Sequence, residues 1–186
     1  MKKFTAILLT IVMLFAMVPL TASAADDADV ATMWICAEKS KNTGIWHIFL
    51  YFENLTDSTI KVGKYDLAAY DTVSVGCFGT EGPRGGGVYY NLESDLTHYG
   101  SLIGRSTDLD ADELESVSKK IKSVNHWDPI FNCYYFAAKA WNAGADKSIP
   151  FLIFPGFAKF FIQMNGGRSN PFEIFVDKPV YKQTEL

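Results

Sequence analysis

Alternation of apolar and polar positions organises the first half of the chain. Val30 to Glu38 is apolar and β-prone and runs into the polar stretch Lys39 to Gly44, which predicts a hairpin. The returning segment, Ile45 to Glu53, is apolar on both faces: Ile45, His47, Phe49 and Tyr51 alternate with Trp46, Ile48, Leu50 and Phe52. Such a strand belongs in the middle of a sheet. Ile60 to Tyr65, Thr72 to Phe78 and Val88 to Glu93 read as further strands, so the first half is expected to be an antiparallel meander.

The period then changes. Asp110 to Val124 carries Leu114, Val117, Ile121 and Val124 on one helical face, with Asp110 and Glu113 in capping-box positions. A second helix is expected to begin at Cys133, because Pro129 disfavours helix before it, Asn132 suits the N-cap, and Gly144 offers a stop. Cys133, Phe136, Ala137, Ala140 and Trp141 form its apolar face. Pro155 suits the first turn of a third helix, with Phe157, Phe160, Phe161 and Met164 on one face and Asn165 to Gly167 ending it. Phe172 to Val176 reads as a last strand, and Tyr181 to Leu186 as a polar tail expected to be disordered. The fold class is therefore α+β.

The N-terminus changes the picture of where the chain acts. Lys2 and Lys3, the apolar run from Phe4 to Val18 and the small-x-small site Ala22-Ser23-Ala24 predict a secretory signal peptide over residues 1–24, leaving one domain over residues 25–186 and a secreted product. No integral membrane segment is expected after its removal. The formal charge of −4 becomes −6 once Lys2 and Lys3 depart, which argues against nucleic acid as a partner.

Three cysteines cannot all pair within the chain. Cys36 and Cys77, both on predicted strands, are the more plausible bridge, which would leave Cys133 as a free thiol. A helix N-terminus favours the thiolate, the form of cysteine that attacks carbonyl carbon. Its activator would be one of three histidines. His98 and His126 read as loop residues, whereas His47 faces inward from the central strand. A residue to orient His47 is expected from Asn91 or Glu93 on a neighbouring strand, Asn54 having the wrong strand parity. No pair of histidines has metal-ligand spacing and no Cys-x-x-Cys occurs, so neither a metal nor a cofactor is expected. Glu81 to Gly87 lacks the lysine and hydroxyl residue of a phosphate-binding loop and reads as a flexible connection.

His47 in Trp46-His47-Ile48-Phe49, followed far downstream by Asn132-Cys133-Tyr134-Tyr135-Phe136-Ala137 opening a helix, resembles the circularly permuted branch of the NlpC-type papain-like superfamily, in which the histidine precedes the cysteine. The resemblance implies an antiparallel sheet packed on the cysteine helix, with Cys133 as nucleophile, His47 as base and then acid, and a thioester intermediate. The superfamily includes cell-wall peptidases, amidases and acyltransferases. The first expectation is accordingly a secreted cysteine amidase or peptidase whose partner is a peptide or cell-wall substrate. The alternative is a non-catalytic secreted module of the same fold, binding peptide or glycan through its aromatic residues. Acyl transfer to or from lipid rests on the resemblance alone.

Overall fold

A computed structural model describes residues 28–40, 44–80, 82–95, 99–124, 126–150, 155–169 and 178–186. The expected signal peptide, His98 and the expected strand at residues 172–176 lie outside them.

Strands β1 (Ala31–Ser40) and β2 (Trp46–Asn54) form the expected hairpin, paired from Ala31–Asn54 to Lys39–Trp46. The meander continues through β3 (Ile60–Val62), β4 (Tyr65–Leu67), β5 (Thr72–Phe78) and β6 (Gly87–Tyr90). A short helix α1 (Leu92–Asp95) leads to β7 (Tyr99–Leu109), α2 (Ala111–Lys122), α3 (Cys133–Trp141), α4 (Ala158–Met164) and the two short strands β8 (Arg168–Ser169) and β9 (Tyr181–Lys182). Seven strands form one antiparallel sheet in the order β8-β7-β1-β2-β5-β6-β9, and β3 pairs with β4 apart from it. β2 is at its centre, where a strand apolar on both faces has to be.

The two faces of β2 separate as its alternation requires. Ile48, Leu50 and Phe52 join the main core with Val73, Val75 and Cys77 of β5 and with α2 and α3. Phe49 and Tyr51 pack on the other face with Cys36, Leu102 and Trp34. Asp110 caps α2 in a full capping box with Glu113. α3 ends at Trp141 rather than at Gly144; its C-cap Asn142 exchanges two side-chain hydrogen bonds of 2.7 Å with the backbone of Ile149. Gly144 serves close approach instead, since a Cβ there would lie 2.7 Å from Val117 Cγ2 of α2.

Several expectations are corrected. Val88 to Glu93 is not one strand: β6 stops at Tyr90, Asn91 takes a left-handed turn (φ 63°), and Glu93 lies on α1. No disulfide joins Cys36, Cys77 or Cys133; the supposed pair belongs to opposite faces of the sheet on strands separated by β2, which no disulfide can bridge. The third helix buries Ala158 and Ile162, while Phe157, Phe160 and Met164 of the supposed inner face are each more than half exposed. The described residues of the connection after β5 are tied to β6: Tyr89 accepts from Arg84 N at 3.1 Å and donates to the Gly85 carbonyl.

Nor is the described part of the tail loose. Tyr181 and Lys182 pair with β6, and Gln183, 1% exposed, donates to the Val124 carbonyl at 2.9 Å and accepts from Tyr90 Oη at 3.1 Å. Its side chain thus satisfies a carbonyl just past the C-terminal end of α2. Gln183→Ala removes a donor and an acceptor from buried partners and is expected to lower stability by about 1–3 kcal/mol, read from the urea midpoint at unchanged slope.

Candidate functional site

α3 begins where expected because Asn132, in extended backbone, folds its side chain over the first turn and accepts from Tyr134 N at 2.9 Å and Tyr135 N at 3.2 Å. Cys133 is thereby fixed at the helix start, facing the sheet and 7% exposed. Two first-turn amides are committed to Asn132, so the helix start does not offer a fan of free donors. The amide of Cys133 itself is the one that Asn132 leaves unused.

His47 arrives from the sheet. The β1–β2 ladder extends past it, pairing it with Glu38, but the β2–β5 ladder stops at Phe49–Gly76. His47 therefore stands beyond the last β2–β5 pair, where the two strands part. Its ring packs against Phe78 of β5, centroids 4.4 Å apart, and against Phe49 at 5.8 Å. Through this opening the imidazole hydrogen-bonds Cys133, which belongs to the main core, and meets Glu93 on the other side.

Glu93 Oε1 is 3.1 Å from His47 Nε2, and the Glu93 side chain is fully buried. With Nε2 so engaged, Nδ1 is the nitrogen left for the thiol. The second carboxylate oxygen, Oε2, accepts from Ser74 Oγ at 2.7 Å. Glu93 comes from beyond β6, two strands from β2, and has to cross β5 to arrive. It crosses over Gly76: a Cβ at that residue would lie 1.8 Å from Glu93 Oε1.

Burial by itself pushes the His47 pKa down. Hydrogen bonds to Cys133 and Glu93, with the charges of both, outweigh it and carry the imidazole up to about 10. The ring thus stays protonated across the neutral range. Glu38, 6% exposed and opposite His47 in the register, adds a second buried carboxylate to this part of the sheet. Burial first, then the charges of Glu38 and Glu93, raise the thiol of Cys36 well above its ordinary value, so Cys36 is held as a neutral thiol.

Of the two candidates for orienting the histidine, Glu93 is in place and Asn91 is not. The Asn91 amide side chain donates to the Pro179 carbonyl at 3.2 Å and hydrogen-bonds Tyr65, Asn91 lying in a left-handed turn past the end of the strand on which it was expected. Asn54 is a structural staple, donating to the carbonyls of Ser58, Leu67 and Ala68. His126 is exposed, 3.7 Å from Asp128. Sequence reasoning missed Ser74, Gly76 and Glu38. The pairing register alone locates Glu38 opposite His47, whereas Ser74 and Gly76 required knowing that β5 runs beneath α1.

Among the described residues, no group of three or more His, Cys, Asp and Glu is arranged to hold a metal ion, and no helix is long and apolar enough to cross a membrane. No protein-family model matches this chain, and neither the curated proteins nor the solved structures compared with it give a significant match.

Proposed function

We propose that the protein is a secreted, permuted papain-like cysteine hydrolase, an amidase or peptidase acting on cell-wall peptide or a related amide, with Cys133 as nucleophile, His47 as acid and base, and Glu93 as the orienting residue. One observation carries this reading: a single partly buried imidazole is hydrogen-bonded at the same time to a helix-start thiol and to a buried carboxylate. The order of His47 before Cys133 along the chain is that of the permuted family the sequence resembles.

The chemistry follows from the charges. An imidazolium beside the sulfur favours the thiolate. Attack on the amide carbonyl forms the C–S bond and moves the π electrons to oxygen, where the Cys133 amide is the local donor; such a donor is typically worth about 3 kcal/mol. His47 gives its proton to the departing nitrogen, the C–N bond breaks, and a thioester remains. Neutral His47 then takes a proton from water, whose oxygen attacks the thioester. The C–S bond breaks, releasing the acid and restoring the charged pair.

Iodoacetamide alkylation of Cys133, followed by peptide mapping from pH 5 to 10, tests the pair without knowledge of the substrate. Fast labelling at pH 6 is expected. Labelling that follows an ordinary thiol, near pKa 8.5, sinks the reading. Digestion of purified cell-wall fragments, lost in Cys133→Ala, tests the substrate.

A second reading, a non-catalytic binding module, draws on Ile130 and Phe131, which are 58% and 38% exposed and are held in place by Asp128, whose Oδ1 accepts from both of their amides at 2.8 Å. Fragments that bind wild type and Cys133→Ala equally and are recovered intact from both would favour it.

A further inference from the structure

Glu93 belongs to a helix of one turn, α1, entered through the left-handed Asn91, and a carboxylate on so short a support is poorly fixed by its own backbone. What fixes it is β5. The Ser74 carbonyl accepts from Asn91 N at 2.9 Å and so holds the corner from which α1 departs. The Ser74 hydroxyl, on a residue 2% exposed, donates to Glu93 Oε2 at 2.7 Å. Two residues along the same face of β5, Gly76 leaves the room that Oε1 occupies on its way to His47.

We propose that Ser74 is a positioning residue for the Cys133–His47 pair, its hydroxyl fixing the Glu93 carboxylate so that Oε2 is occupied and Oε1 alone is presented to the imidazole. This rests on the reading of Cys133 and His47 as a nucleophile and its base, and extends the set to a fourth member that touches neither substrate nor thiol. It also assigns Glu93 a fixed role. With one oxygen accepting from Ser74 and the other from His47 Nε2–H, the carboxylate orients the ring and balances its charge, and the proton stays on the imidazole.

The test uses the folded protein with Ser74→Ala and the conservative Ser74→Thr, which restores a hydroxyl. Two quantities are read: the pH profile of Cys133 alkylation by iodoacetamide, and the titration midpoint of the His47 ring by NMR. In Ser74→Ala, alkylation at pH 7 is expected to fall about tenfold to a hundredfold, the weight of one buried hydrogen bond to a charged group. The His47 midpoint is expected to move down from about 10. Ser74→Thr is expected to recover both to within about twofold, an effect that altered packing alone would not produce. Thermal unfolding of each variant separates loss of fold from loss of alignment. The proposal is overturned if Ser74→Ala keeps the wild-type midpoint and profile, or if Ser74→Thr is as impaired as Ser74→Ala. Wild type with ordinary thiol reactivity but a His47 midpoint that still responds to Ser74 would instead sink the hydrolase reading and leave the positioning role standing.

Discussion

His47→Ala is expected to slow amide hydrolysis by about 10²–10⁴-fold, the usual contribution of a positioned acid–base group, and to leave Cys133 with the alkylation profile of an ordinary thiol. Both losses have one cause. The imidazolium next to the sulfur is held charged by Cys133 and Glu93 against the cost of burial, so removing it takes away the proton donor and the counter-charge together. The pH dependence of wild type follows with a definite sign. His47 titrates near 6.5 in the unfolded chain and at about 10 in the folded one, so the folded state binds the proton more tightly. Its stabilisation is fully present below pH 6.5 and is lost as the pH rises through about 10. Urea unfolding of wild type at intervals from pH 6 to 10 is expected to show stability declining in the upper part of this window, above about pH 8.5, where the cysteine of the unfolded chain has also lost its proton, with the decline reduced in His47→Ala. Identical slopes in the two proteins would remove the charged pair from the account.

Gly76→Ala is expected to disable the site without replacing any of the groups that form it. The added methyl has no room: it would lie 1.8 Å from Glu93 Oε1 and 2.9 Å from Phe78 Cε2, and the Phe78 ring is itself packed against His47. The carboxylate has to leave its seat, and the ring behind the imidazole has to move with it. Overpacking of this kind typically costs about 1–3 kcal/mol of stability, a loss that leaves a domain of ordinary stability folded. Alkylation of Cys133 at pH 7 is expected to fall to the level of Glu93→Gln, and the double variant to fall no further, since both changes remove the same contact. A Gly76→Ala protein with wild-type reactivity would mean that Glu93 does not govern the histidine.

How much of this was legible in the sequence depends on whether the signal was local. The start of α3 at Cys133 was, because proline, a capping asparagine and a helical stripe lie within a few residues of one another. The central place of β2 and the grouping of His47 with Phe49 and Tyr51 were legible too, since two-residue alternation needs no knowledge of neighbours. Glu93 was within reach only as one of two candidates, chosen for a place on a neighbouring strand that in fact ends at Tyr90. Gly76 carried no local signal at all. A glycine within an apolar strand reads as weakness until the carboxylate that crosses above it is known. The supposed Cys36–Cys77 bridge failed similarly, because counting cysteines says nothing about which side of a sheet each one faces.

The place where β2 and β5 part has a consequence for how the molecule responds to change. The sheet is a wall between two compartments, and the imidazole fills the single window described here, with the sulfur in one room and the carboxylate in the other. A disturbance among the side chains of the rear room, Phe78 and Ser74 included, is therefore expected to reach the thiol through the imidazole, although none of them shares its compartment.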